Sequence, residues 1–103
     1  MYADDLKRIK SLCSAARTAG RAAQNQADHG RLVPALVRLR EVQGARLRLV
    51  TLLRDVVKRS PKADRERGQP VDLLLRQGLG CVAETGRALS VTLRVLKQRV
   101  QWP

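Results

Sequence analysis

The chain has 103 residues, of which 21 are Lys or Arg and 9 are Asp or Glu, giving a formal net charge of +12 at pH 7. This length allows one domain around one hydrophobic core, and a hydrophobic fraction of 44% excludes a fully disordered basic tail. So large a charge favours a polyanionic partner, and nucleic acid is the commonest.

Neither end nor middle of the chain has the pattern of a targeting or membrane segment. The opening residues, Met-Tyr-Ala-Asp-Asp, lack a basic stretch followed by an apolar run. No stretch approaches the roughly 18 apolar residues that a membrane span needs. We therefore expect a cytoplasmic protein without a membrane partner.

The first predicted helix covers residues 4–28, with Asp4 or Asp5 at its N-terminus. Apolar and small residues recur at alternating steps of three and four, as in a heptad seam: Leu6, Ile9, Cys13, Ala16, Gly20, Ala23 and Ala27. A basic stripe beside this seam contains Lys7, Lys10, Arg17 and Arg21. Gly30 is placed to stop the helix in the left-handed conformation.

The second predicted helix covers residues 32–59, because Pro34 suits a first turn and Ser60-Pro61 ends a helix. Its wide apolar face runs from Leu32 and Leu36 to Val57, and Arg40, Arg54 and Lys58 form a basic stripe. Arg46 interrupts the apolar face beside Gly44. Three interpretations are open: the helix bends, Arg46 meets an acid or a phosphate, or its side chain extends to solvent.

A charged linker over residues 60–70 precedes the third predicted helix at 71–101. The seam predicted for that helix consists of Val71, Leu75, Leu79, Val82, Gly86, Leu89, Leu93, Leu96 and Val100. Its basic stripe contains Arg76, Arg87, Arg94 and Lys97. A break near Gly78 is the alternative. The three segments predict an all-α fold, a single three- or four-helix bundle with heptad-patterned seams.

No group of residues in the sequence indicates catalysis. His29 stands alone, and Gly78-Leu79-Gly80 lacks the strand and the third glycine of a dinucleotide loop. Two cysteines and one histidine are too few for a structural zinc site. We expect Cys13 and Cys81 to be core residues rather than a disulfide. The prediction is a protein that is not an enzyme, with no cofactor, metal or small-molecule substrate.

The near absence of aromatic residues narrows the way in which nucleic acid could be bound. Proteins that hold single-stranded bases usually stack them on aromatic rings, and here only Tyr2 and Trp102 are available. Binding should therefore grip phosphates, ignore sequence and weaken with salt. The candidate residues are those of the three basic stripes: Lys7, Lys10, Arg17, Arg21, Arg40, Arg54, Lys58, Arg76, Arg87, Arg94 and Lys97.

In size, charge and helical pattern the chain resembles the small helical subunit of CRISPR surveillance complexes. This resemblance implies several copies along a ribonucleoprotein, with basic side chains facing guide RNA, target or displaced strand. The positions it implies are Lys10, Arg17, Arg21, Arg40, Arg54, Arg76, Arg87, Arg94 and Lys97.

Two alternatives remain open. The segment Ala27-Asp28-His29-Gly30-Arg31, followed by Ala35, Leu36, Leu39 and Arg40, is similar to helical hairpins of phage small-terminase-like proteins. That likeness implies a DNA-binding oligomer of phage or mobile-element origin. The other alternative is a helical interaction module, in which the seams mediate assembly with other subunits or self-association and the arginines meet an acidic protein.

Overall fold

The computed structural model describes residues 2–100, which form three long α-helices and one short 3-10 helix. The helices are α1 (Ala3–Asp28), α2 (Leu32–Arg59) and α3 (Pro70–Val100), with the 3-10 helix at Lys62–Arg65 between the last two. No strand occurs in this part of the chain, so the fold is all-α as predicted.

Each long helix packs against the other two, and the molecule is an elongated body of 58 × 20 × 17 Å. The Tyr2 hydroxyl donates to Asp64 beside the start of α3, and Arg99 near its end donates to the Asp28 carbonyl oxygen. Helices α1 and α3 therefore run in parallel, with α2 antiparallel to both.

The buried residues form two clusters along this body. One contains large side chains from all three helices, among them Ile9, Leu49 and Val71, together with Cys13 and Cys81. The other is dominated by alanines, including Ala23, Ala27 and Ala35. Small side chains in the second cluster allow close approach of the helix backbones.

Local stop signals end α1 and α2 where the sequence predicts. Gly30 has φ +70°, and the Arg31 and Gly30 amides donate to the carbonyl oxygens of Gln26 and Ala27 at 2.9 and 3.0 Å. This is a Schellman motif, which supplies partners for the last carbonyl groups of α1. Helix α2 ends at Arg59, directly before Ser60 and Pro61.

Several predicted boundaries need correction. Helix α1 begins one residue early, at Ala3, and α3 begins at Pro70, a residue type that tolerates the first helical position. The linker is shorter than predicted and contains the 3-10 helix. Helix α3 continues through Gly78 without a break, and its predicted end at Gln101 lies outside the described residues.

The predicted seam of α3 is buried at Val71 and Leu96 but is wrong at three other positions, one of them at the end of the helix. Leu79, Leu93 and Val100 are exposed, whereas the adjacent line of the helix, which includes Gly78 and Cys81, is buried. Two apolar lines run side by side on α3, and the one with smaller residues lets the other helices come closer. On α2 the predicted core residues Leu32 and Leu36 are likewise exposed.

Of the arrangements considered for Arg46, the structure excludes a bend of the helix and shows a contact that the sequence did not predict. Helix α2 is continuous past Gly44, and the Arg46 side chain crosses to α3, where Nη2 donates to the Val82 carbonyl oxygen at 3.2 Å. The guanidinium lies over Gly86, where a Cβ atom would come within 2.8 Å of Nη2. Glycine at this position of α3 leaves room for the arginine head group.

Candidate nucleic-acid interface

All eleven cations of the predicted basic stripes are exposed. The structure distributes them over more than one side of the molecule. Three from α1 line one groove, two from α2 line another, and those of α3 follow a side turned away from the core. Their grouping therefore depends on how the helices are rotated against each other.

A groove of about 390 Å³ between α1 and α3 brings three of the predicted cations together. Lys10, Arg17 and Arg21 lie along the α1 wall, seven and four residues apart, which places them on one flank of the helix. The remaining lining includes the hydroxyls of Ser14 and Thr18 and the side chains of Cys13 and Gln77. Ammonium, guanidinium and hydroxyl groups here share one solvent-accessible channel.

An ion pair between Arg17 and Glu84 joins the two walls of this groove. Arg17 Nε donates to Glu84 Oε2 at 2.9 Å, and Nη2 lies 2.7 Å from the same oxygen. This hydrogen bond and the carboxylate charge raise the pKa of Arg17 above its usual value. The pair fixes one edge of the guanidinium and also leaves a negative charge beside the cations.

The groove continues past Arg21 toward the alanine-rich end of the molecule. Its next section is lined by Arg21, Gln24, Glu84 and Ala88, among others. Gln24 Oε1 accepts a hydrogen bond of 2.9 Å from the hydroxyl of Thr92, a buried residue of α3. Arg17–Glu84 and Gln24–Thr92 thus fix the α1–α3 register at two places.

The cations of α2 have a different environment. Arg54 and Lys58 line an apolar groove of about 460 Å³ between α2 and α3. Arg40 is exposed farther along α2. The structure therefore does not bring these residues into the α1–α3 groove.

The cations of α3 form a stripe on its outer side. Arg76, Arg87 and Arg94 are separated by eleven and seven residues, close to whole numbers of helical turns. Arg76 pairs with Asp72 at 3.2 Å. The Gly68 amide, which donates to this carboxylate, and then Arg76 hold the pKa of Asp72 below its usual value. Lys7 on α1 and Lys97 on α3 are exposed as well.

Most of the acidic side chains are already used within the molecule. In the part of the chain that the structure describes, Asp5, Glu41, Asp55, Asp72 and Glu84 form ion pairs with arginines. Asp64 accepts the Tyr2 hydroxyl, and this hydrogen bond raises the pKa of Tyr2. Few acids are left to offset the remaining cations, so the surface potential is strongly positive.

Cys13 and Cys81 are buried free thiols of one core cluster, as the sequence predicts. Burial, followed by the neighbouring Cys81, raises the pKa of the Cys13 thiol to about 12. The thiol is therefore protonated near neutral pH and is a poor nucleophile. Among residues 2–100, no three His, Cys, Asp or Glu side chains are close enough to hold a metal ion.

Sequence reasoning missed three contributors to the α1–α3 groove: Thr18, Gln77 and Glu84. Gln77 and Glu84 stand seven residues apart on α3, so a polar line on that flank was visible in the sequence. What could not be seen is that this line faces α1, because that depends on which of the two apolar lines of α3 is buried.

None of the helices in the described range is long and apolar enough to cross a bilayer. Comparisons with protein-family models, curated proteins and solved structures give no significant match.

Proposed function

We propose that this chain is a non-catalytic subunit that binds the nucleic-acid backbone without sequence preference, through the α1–α3 groove. The observation that carries the proposal is the convergence of Lys10, Arg17 and Arg21 with the hydroxyls of Ser14 and Thr18. Lysine, arginine and hydroxyl side chains are the groups that proteins use most often to contact phosphates.

The length of the basic flank suits several consecutive phosphates. From Lys7 to Arg21, α1 advances by about 21 Å at 1.5 Å per residue. This length corresponds to about six nucleotides of one strand, because successive phosphates of a strand in duplex DNA are about 3.4 Å apart along the helix axis. The small residues of the floor, such as Cys13, offer no surface for base stacking. The groove therefore favours backbone contacts over base readout.

The setting that we propose is a larger ribonucleoprotein, in which the chain is a CRISPR small-subunit-like three-helix bundle with heptad-patterned seams. Its surplus of cations over acids suits an assembly in which nucleic acid neutralises several copies. A DNA-binding oligomer like the small terminases would use the same phosphate contacts. A preference for duplex DNA over single-stranded RNA would favour that alternative.

Three triple charge-reversal variants with equal changes in net charge test the proposed groove. The groove variant replaces Lys10 and Arg21, which line the groove, and Lys7, the next cation on the same flank of α1, by Glu. The α3 variant replaces Arg87, Arg94 and Lys97 by Glu. The control replaces Lys62, Arg65 and Arg67, all exposed between α2 and α3. None of these nine residues forms an ion pair within residues 2–100, so each variant leaves the observed ion pairs intact.

Fluorescence anisotropy with single-stranded RNA, single-stranded DNA and duplex DNA would be measured over a range of salt concentrations. We expect the groove variant to lose the most affinity and to flatten the salt dependence by about two units of slope for single strands, as expected for three lost phosphate contacts. The control should lose least. Equal losses in all three variants would contradict a defined groove, and no binding by the wild type at low salt would contradict the function.

A further inference from the structure

A second groove, between α2 and α3, has an apolar floor that the chain itself does not cover. Leu79 is 57% exposed at its edge, and Val50, Val57 and Leu75 are only partly buried within it. Leu53 closes the bottom by packing against Gly78. Exposed apolar side chains gathered in one groove, unlike scattered ones, are typical of an interaction site.

The edge of this groove is basic. The only polar residues that line it are Arg54 and Lys58, and neither has an acidic partner within residues 2–100. Arg46 adds a third cation between the same two helices, one turn from Val50. The groove thus combines an apolar floor with a positive rim and lacks a negative group of its own.

We propose that this groove docks an amphipathic helix of a partner protein, with apolar residues on one face and Glu or Asp on its flanks. The floor is formed by two antiparallel helices whose apolar positions, 50, 53 and 57 on α2 and 75 and 79 on α3, recur at intervals of three and four residues. Such a surface accepts the side chains of a third helix as ridges into a groove. Acidic flanks would face Arg54 and Lys58.

The charge distribution favours this partner over two other occupants. A second copy of the chain would bring a strongly positive surface against a positive rim, because most of its acids are already paired. The phosphates of a nucleic acid could pair with the cations of the rim, but they would gain nothing from a floor of leucine and valine. An acidic amphipathic helix would pair its carboxylates with the cations of the rim and pack its apolar face on the floor.

The test uses two fluorescein-labelled peptides of about 18 residues, which is five helical turns. One places Leu at i, i+3, i+4 and i+7 and Glu on both flanks, and the other scrambles the same composition. The unmodified 103-residue chain is compared with Leu79→Ser and with Leu47→Ser. Leu47→Ser is the control, because Leu47 is an α2 leucine that is 69% exposed and lies outside this groove.

We expect the patterned peptide to bind at least tenfold more tightly than the scrambled one. Leu79→Ser should weaken that binding by about tenfold, in line with the loss of one buried leucine contact. Leu47→Ser should leave it unchanged. Both variants should bind RNA as the wild type does, so failure of this proposal is distinguishable from failure of the nucleic-acid function.

Four outcomes would overturn the proposal. The first is equal affinity for both peptides, which would indicate attraction by charge alone, and the second is no binding of the patterned peptide. The third is unchanged affinity in Leu79→Ser. The fourth is that peptide affinity persists in Leu79→Ser while another interaction of the wild type is lost. Loss of a dimer seen by sedimentation would identify the occupant as a second copy of the chain. Loss of binding to anionic phosphatidylserine vesicles would identify it as a membrane.

Discussion

Leu53 of α2 packs so closely against Gly78 of α3 that a methyl group on the glycine would lie 2.6 Å from Leu53 Cδ2. The two helices meet here within the cluster of large core residues, and Leu53 is itself buried. The absent side chain of Gly78 thus sets the separation of α2 and α3 at this level.

We expect Gly78→Ala to destabilise the protein although alanine is the better helix former. Overpacking costs about 1–3 kcal/mol, which over most of that range exceeds the roughly 1 kcal/mol gained in helix propensity. Gly80→Ala is the matched control, because no atom lies within 4 Å of its would-be Cβ. Urea denaturation should show a lower free energy of unfolding for the first variant and a higher one for the second. In a Leu53→Ala background, Gly78→Ala should become neutral or stabilising, and persistent destabilisation there would contradict the packing argument.

Asp5 and Arg59 form the least exposed of the interhelical ion pairs. Arg59 Nη2 lies 2.9 Å from Asp5 Oδ1, and the Asp5 side chain is only 8% exposed. Asp5→Asn removes the charge-assisted bond and should lower the free energy of unfolding by about 1 kcal/mol, since Arg59 is half exposed and its charge is screened. Asp4→Asn is the control. Asp4 lies in the same first turn but is exposed, so this variant loses the same favourable interaction with the helix dipole without breaking an ion pair. An equal loss of thermal stability in both variants would show that the ion pair itself contributes nothing.

Glu84 lies in the α1–α3 groove and is, among residues 2–100, the one acid that pairs with a cation of the groove. If phosphates bind there, Glu84→Gln should raise the affinity for single-stranded RNA severalfold, because it removes a repulsive charge and frees Arg17. Glu41→Gln is the control, since Glu41 forms a comparably exposed ion pair with Arg38 on α2. Fluorescence-anisotropy titrations at one salt concentration would compare the RNA affinities of both variants with that of the wild type. An equal gain for both would mean that only net charge matters.

The pKa of Cys13 gives stability a dependence on alkaline pH. Burial and then Cys81 raise this pKa from 9.0 to about 12 in the folded protein. The unfolded chain therefore loses the thiol proton first as pH rises, and the stability that the neutral thiol contributes is complete below pH 9 and is lost toward pH 12. The difference in free energy of unfolding between wild type and Cys13→Ala should narrow over this range. A difference that stays constant with pH would contradict a buried neutral thiol.

The sequence predicts the helices better than it predicts their faces. Gly30 and Ser60-Pro61 are local signals, so the ends of α1 and α2 follow from the residues nearby. Cys13 and Cys81 stand on or beside apolar lines, and the core contains both. The line of α3 that is buried depends instead on contacts with α2 such as Leu53 with Gly78, which no local pattern encodes.

For the candidate site as well, the sequence predicts which residues share one helix flank but not which helix that flank faces. That Lys10, Arg17 and Arg21 share a flank of α1 follows from helical periodicity alone. That Arg54 and Lys58 line a separate groove depends on the rotation of α2 against α3. Glu84 could be assigned to the site only after the parallel register of α1 and α3 was known.

The contact between Arg17 and Glu84 has a consequence for the order of assembly, because it joins positions 67 residues apart. The α1–α2 hairpin can form from neighbouring segments, whereas the α1–α3 groove requires closure of a loop that contains all of α2. During synthesis the first 59 residues can pair as a hairpin before α3 is made. A chain truncated before Pro70 would keep every lysine and arginine of α1 but would lack the opposite wall of the groove.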